Sequence, residues 1–175
     1  MGFLGIKTLI VTDLDCTKPS ENGKLKKCKY IDGTSTSNAS IKFFTQKNNL
    51  ADIVTLATAP IILSYDDTAS KWNLNSEGQL RLLFQKEENG YQARSFEDAF
   101  LCNNLQFVID NKDSFCSLKN RTTLTSVGND FYRIADECIE SKTTFALDVL
   151  LYGGKNNEKW STPLYIKEGL EWLAQ

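Results

Sequence analysis

The sequence contains no histidine in 175 residues. That absence removes histidine-based catalytic triads, imidazole acid–base pairs and histidine-ligated zinc sites together. Cysteine is present but unpatterned. Cys16, Cys28, Cys102, Cys116 and Cys138 are odd in number and far apart, and no Cys-x-x-Cys occurs. Neither a zinc ribbon nor a thioredoxin-type site fits. Free thiols in a reducing compartment, the cytoplasm, are the expectation. No apolar stretch is long enough to span a membrane, and no signal peptide is recognisable. Asn38-Ala39-Ser40 and Asn120-Arg121-Thr122 match the glycosylation pattern, which without secretion carries no weight. Neither sign of charge dominates, since 20 Lys and Arg against 22 Asp and Glu give a net charge of −2. Any nucleic acid would meet a local basic patch and not a global field.

What is present starts with Lys7-Thr8-Leu9-Ile10-Val11-Thr12, an aliphatic and β-branched run that reads as a buried strand. Asp13-Leu14-Asp15 follows it directly. In an extended chain Asp13 and Asp15 share one face and Leu14 takes the other. Two carboxylates converging at the carboxyl end of a buried strand are costly to desolvate unless paired or bound to a cation. Ligands of α/β sheets bind at that end. The pair therefore points to a hard divalent cation, Mg²⁺ or Mn²⁺, and to phosphate chemistry. The plainer reading is a turn after a strand, where Asp is common.

The rest of the chain alternates turn signals with helical periodicity. At 41% hydrophobic residues the length suits a single globular domain, 1–175, with a substantial core. Residues 16–36 are polar and read as a long loop beside the acidic pair. Ser37 or Asn38 caps a helix to about Lys47. Residues 52–65 are apolar and ambiguous, with Pro60 breaking any long helix. Leu80–Gln85 reads as a strand and Glu87–Gly90 as a turn. Ser95 caps a helix over Phe96–Leu101, and Leu105–Asn111 reads as another. Phe131–Glu140 and Phe145–Leu151 are helical, with Gly153-Gly154 as a stop, and Pro163 opens a final helix. The fold expected is α/β, a small mostly parallel sheet flanked by helices with a helical C-terminal part.

Other candidates are individually weak. Glu97 alone is a first-turn helix carboxylate satisfying the dipole, and Ser95 alone is a cap. Lys142 alone is a solvated lysine. Lys24, Lys26, Lys27 and Lys29 form the one basic concentration, either a solvated loop or candidate contacts to a DNA backbone. Trp72, Trp160 and Trp172 read as core or interface before base-stacking platforms.

Several segments taken together resemble the C-terminal part of the OLD (overcoming lysogenization defect) family of ATP-dependent endonucleases, which carry a Toprim nuclease domain. They are Leu4-Gly5-Ile6-Lys7 through Asp15, Thr36 through Lys42, Tyr91-Gln92-Ala93-Arg94-Ser95-Phe96-Glu97-Asp98-Ala99-Phe100, Ser141-Lys142-Thr143-Thr144-Phe145-Ala146-Leu147-Asp148, and Trp160 through Leu173. They fall in the family's order. The resemblance implies a Toprim-like fold and divalent-metal-dependent DNA cleavage, with a role in phage defence. Asp13 and Asp15 would be the metal-holding DxD, Glu97 a further metal carboxylate with Ser95 near it, and Lys142 the residue that meets charge on the scissile phosphate. The implied partners are DNA and an ATPase domain in cis or in trans, with a homodimer as one open assembly.

The chain departs from that family in two places. Toprim domains place a glutamate on a strand before the DxD strand, but the six residues before Lys7 hold no acidic side chain. No Gly-x-x-x-x-Gly-Lys-Ser/Thr occurs either. The expectation is a C-terminal piece of a larger ATPase-nuclease. One rival is a haloacid-dehalogenase-like phosphatase, with Asp13 of Asp13-Leu14-Asp15-Cys16-Thr17 as nucleophile and Asp66-Asp67 as the later acidic pair. The other is a non-catalytic Toprim remnant that binds DNA or a partner.

Overall fold

In the computed structural model, which describes residues 5–175, the run after Lys7 forms strand β1 (Thr8–Val11). There follow β2 (Cys16–Pro19), β3 (Leu25–Lys27), β4 (Ser35–Thr36), α1 (Ala39–Thr45), α2 (Leu50–Leu56), β5 (Ile61–Asp66), β6 (Lys71–Leu74) and β7 (Leu80–Leu83). After these come the hairpin β8 (Glu87–Glu88) and β9 (Tyr91–Gln92), then α3 (Phe96–Asp110), α4 (Thr123–Ser126), α5 (Phe131–Cys138), α6 (Lys142–Tyr152) and α7 (Leu164–Ala174). The fold is mixed α/β, with a small mixed sheet and seven α-helices among the described residues. None of those helices is long and apolar enough to cross a membrane. The chain separates into two compact units. One runs to Lys86 and takes in Leu164–Gln175; the other is Glu87–Pro163.

In the first unit the main sheet has the order β1-β7-β5-β6. The expectation of a mostly parallel sheet is corrected. Only β1 and β7 pair in parallel, while β5 runs antiparallel to both β7 and β6. A parallel connection needs a dozen or more residues. Here β5 returns at once through a hairpin, and the chain then crosses β5 to start β7 on its other side. Gly78 makes that crossing, where a Cβ would lie 2.2 Å from the Leu63 carbonyl oxygen. The position of β1 is a second correction. It stands at the sheet edge among the described residues, and Val11 is 48% exposed. Within this sheet the fully buried strand is β7, all four of whose residues are covered.

The side chains of β7 alternate between two helical layers. Leu80 and Leu82 join Leu14, Ile41, Leu50, Ile53, Ile61 and Leu63 in a core roofed by α1 and α2. Each such side chain contributes roughly 1.5–3 kcal/mol by leaving water. On the other face α7 lies close, because Gly169 has no side chain; a Cβ there would meet Leu83 Cδ1 at 2.0 Å. Residues 16–36, expected as a loop, form a second sheet of order β3-β2-β4. Its strands are short and polar, with β3 exposed throughout, so no apolar alternation announced them.

The second unit is helical, as expected, apart from the β8–β9 hairpin. Asn89 (φ 53°) and Gly90 (φ 74°) turn that hairpin, a pair suited to left-handed backbone. The two helical runs expected over 96–111 meet at a kink in α3, where Asn104 has non-helical backbone, φ −134°. The buried Asn104 amide bonds the Phe100 carbonyl and both the N–H and the carbonyl of Ser161. Phe100, Phe107, Phe115 and Phe145 stack edge to face in the core. All five cysteines are free thiols. Burial, then Glu88, pushes the Cys102 thiol up to about 11. Trp72 packs on Phe44 and Tyr65, and Trp160 on Phe100. Trp172 carries the Lys7 ammonium over its ring at 4.8 Å.

Candidate functional site

The register of β1 on β7 builds the acidic turn. Val11 lies opposite Leu83, and the Thr12 N–H continues the ladder to the Leu83 carbonyl at 2.9 Å. Two residues further along both strands, Asp13 and Gln85 meet. The Gln85 Nε2 donates to Asp13 Oδ1 at 2.8 Å. Its Oε1 accepts from the Leu14 N–H at 2.7 Å. Gln85 is 1% exposed, and its amide also reaches the Tyr165 hydroxyl on α7 at 3.2 Å.

The stretch Thr36-Ser37-Asn38 closes the turn from the other side. Asn38 Oδ1 caps α1 through the Ile41 N–H, while Nδ2 donates to Thr12 Oγ1 at 2.7 Å and the Asp13 carbonyl at 2.8 Å. Thr36 Oγ1 donates to the Leu14 carbonyl at 2.7 Å, and the Ser37 N–H to that of Asp15 at 3.0 Å. Leu14 is fully buried, with Asp13 and Asp15 half-buried on either side of it. Asp15 adopts left-handed backbone, φ 48°, where the chain swings into β2, so strict extended alternation ends before it.

Asp13 and Asp15 offer carboxylate oxygens, while the Gln85 and Asn38 amides present N–H groups to the turn and orient it. Such oxygens fit a hard cation of the Mg²⁺ or Mn²⁺ kind. Within either unit, the described residues hold no cluster of three or more His, Cys, Asp or Glu that could bind a metal.

The lysines lie on the small sheet that continues from Asp15. Lys24, Lys26 and Lys27 are exposed and Lys29 is half-buried. Lys26 stands opposite Lys18, whose ammonium is 3.2 Å from Asp32. Charged residues on such an edge strand also guard it against pairing with other chains.

In the second unit Glu97 and Lys142, 45 residues apart, come together. Lys142 Nζ donates to Glu97 Oε2 at 2.7 Å. The carboxylate side chain is 9% exposed and the lysine 67%. Ser95 forms a capping box with Asp98, its N–H and Oγ both donating to Asp98 Oδ1 at 2.7 Å. Asp98 also accepts from the Arg94 N–H and the Tyr91 hydroxyl. Burial, then the Asp98 charge, drives the Tyr91 phenol well above its ordinary value.

The phosphatase rival fails on strand direction. Asp66 ends β5, which is antiparallel to β7 and hence to β1. It lies three residues beyond the row Leu63–Leu80–Thr8, whereas Asp13 lies five residues past that row at the other end. At ~3.3 Å per residue the two are roughly 25 Å apart. Asp66 is instead occupied in its hairpin, accepting from the Ala69 N–H and the Asn73 amide.

Sequence reasoning missed Gln85, Tyr165 and Asp98. In the sequence Gln85 reads as a strand end, and the register that brings it to Asp13 joins segments more than seventy residues apart. The signal for Asp98 was available, since Ser95-x-x-Asp98 has capping-box spacing.

This chain is 26% identical to the endonuclease GajA of Bacillus cereus (strain HuB5-5) over 188 aligned positions. The alignment takes in 99% of this chain and 24% of that endonuclease, so the chain spans about a quarter of the relative's length. No family model matches the chain, and no solved structure matches it significantly.

Proposed function

We propose that this chain is the nuclease part of a larger ATP-dependent DNA endonuclease of the OLD type, with a Toprim-like site that hydrolyses phosphodiester bonds. The observation that carries the reading is the likeness to an endonuclease over 99% of the chain. The acidic turn supports it, because Asp13 and Asp15 offer hard oxygen donors at a strand's carboxyl end, where ligands of α/β sheets bind. In this reading Asp13 and Asp15 hold Mg²⁺ or Mn²⁺, and the resemblance implies a metal-binding role for Glu97 as well. A bound ion of this kind polarises phosphate oxygens and makes water a better nucleophile.

The chain's own groups do the rest. Gln85 and Asn38 fix the turn that carries Asp13. Lys142 meets charge building on the phosphate, a stabilisation that grows where water is excluded. Its ammonium is two-thirds exposed and oriented by Glu97, which suits a cation that exchanges partners. Ser95 supports Glu97 by fixing the first turn of α3. Lys24, Lys26, Lys27 and Lys29 contact the DNA backbone, so binding weakens steeply with salt. The ATPase domain is supplied in cis or in trans.

The test is nicking of supercoiled plasmid by the purified chain with Mn²⁺ or Mg²⁺, beside Asp13→Ala. Nicking is expected, with at least about a hundredfold loss in the variant, the scale on which preorganised charge stabilisation acts. Equal nicking by both proteins would sink the site assignment. Salt-sensitive DNA binding without nicking would favour the non-catalytic reading.

A further inference from the structure

We infer that Gln85 is the positioning residue of the acidic turn, the group that aims the Asp13 carboxylate at its cation. The inference rests on the reading of Asp13 as a metal ligand. Gln85 follows β7, the most buried strand of its sheet, and its side chain is almost fully covered. A buried amide must satisfy its donors and its acceptor. Here the network leaves one orientation. The Leu14 N–H can only donate, so the amide oxygen faces it at 2.7 Å. The amide nitrogen must then face Asp13 Oδ1, at 2.8 Å. A flipped amide would set N–H against N–H and oxygen against carboxylate.

One side chain therefore fixes both the backbone and the carboxylate of the turn. It does so with a neutral group, which orients an anion without cancelling its charge. Tyr165 completes the arrangement. Its hydroxyl lies 3.2 Å from the same amide nitrogen, and the residue is 3% exposed on α7. The Arg81 guanidinium ties that helix back to β7 through the Glu168 carbonyl at 2.8 Å. The chain Tyr165–Gln85–Asp13 thus couples the last helix of the protein to its first acidic residue. Groups that orient metal ligands in this way typically alter metal affinity 10- to 100-fold when removed.

The test uses the full chain and Mn²⁺ alone, titrated by electron paramagnetic resonance, on the wild type, Asp13→Asn and Gln85→Met. Methionine keeps length and bulk while removing both polar ends. The expected result is about tenfold weaker Mn²⁺ binding in a Gln85→Met chain that still folds, with a lowered unfolding midpoint because the buried Leu14 N–H loses its acceptor, and loss of binding in Asp13→Asn. A second measurement needs no variant of Gln85. In ¹⁵N-glutamine-labelled wild-type protein, the Gln85 side-chain amide signals should shift on Mg²⁺ addition. Wild-type Mn²⁺ affinity in a folded Gln85→Met, or amide signals unmoved at Mg²⁺ saturation, would overturn the inference while Asp13→Asn still loses binding. Wild-type affinity in Asp13→Asn overturns the underlying reading, and the inference falls with it.

Discussion

Each unit of this chain ties carboxylates down beside a turn, but the partners differ. In the first unit the Asp13 carboxylate accepts from the neutral Gln85 amide. In the second, Glu97 accepts from the Lys142 ammonium, and Asp98 from two backbone N–H groups, a hydroxyl and a phenol. The degree of burial differs too. Asp13 and Asp15 are half-exposed, whereas Glu97 is 7% and Asp98 1% exposed. A neutral donor sets the direction of a carboxylate and leaves its charge in place. An ammonium sets direction and also neutralises. Asp98 shows a third use, in which an anion serves as a multiple acceptor that holds a loop to a helix. Carboxylates that look alike in a sequence thus differ by their donors, Asp13 oriented by a neutral amide, Glu97 paired with an ammonium, and Asp98 holding a loop to a helix.

The comparison breaks most visibly at Asp98. Asp98→Ala strips the partner from several donors in a buried turn, and hydrogen bonds to charged groups contribute more than neutral ones. The expected loss is on the order of 3 kcal/mol in urea unfolding, with destabilisation centred on the second unit in amide exchange. A loss below about 1 kcal/mol would show that water replaces Asp98 and that the turn is not its work. Removing charge alone sharpens the contrast between the other two carboxylates. Glu97→Gln gives up the ion pair with Lys142 and should cost on the order of 1 kcal/mol, discounted because the lysine is largely exposed. Asp13→Asn can still accept from Gln85 through its amide oxygen, so its stability should stay within about 0.5 kcal/mol of the wild type. Equal costs at the two positions would erase the distinction.

How much of this was legible beforehand follows the range of the interactions involved. Asn38 and Ser95 were visible as caps because capping is decided within four residues. The break between Leu101 and Leu105 was visible too, and it marks the kink where Asn104 bonds its own helix and Ser161. The strand after Lys7 was visible as a strand but not as an edge strand, since its neighbours are set by pairing with β7 seventy residues on. The small sheet of residues 16–36 was hidden because its cover comes from Cys16, Thr17 and Cys28, not from an alternating apolar pattern. Asp13 and Asp15 stood out by spacing. Gln85 did not, because nothing in its local sequence distinguishes a buried amide from an exposed one; only the parallel register makes it a neighbour of Asp13.

Tyr91, the phenol that shares Asp98 with the capping box, makes a contribution that depends on pH. Its acidity is suppressed in the folded state by burial first and by the Asp98 charge second, so its folded pKa lies above the ordinary 10.0. A group whose folded pKa is raised contributes stability that is fully present below its unfolded pKa. That contribution is lost as the pH climbs beyond it. The phenol should therefore favour folding at neutral pH and begin to oppose it above about pH 10. Tyr91→Phe keeps the ring against Phe131, whose centroid is 5.0 Å away, but has no proton to lose. At pH 7 the variant should be slightly less stable, by less than about 1 kcal/mol for one hydrogen bond. Between pH 10 and 11 that gap should close as the wild type alone weakens. Unfolding midpoints followed across this range decide the matter. A gap that stayed constant would mean that the phenol ionises as readily in the folded chain as in the unfolded one, and that Asp98 holds the turn without raising the cost of a second negative charge beside it.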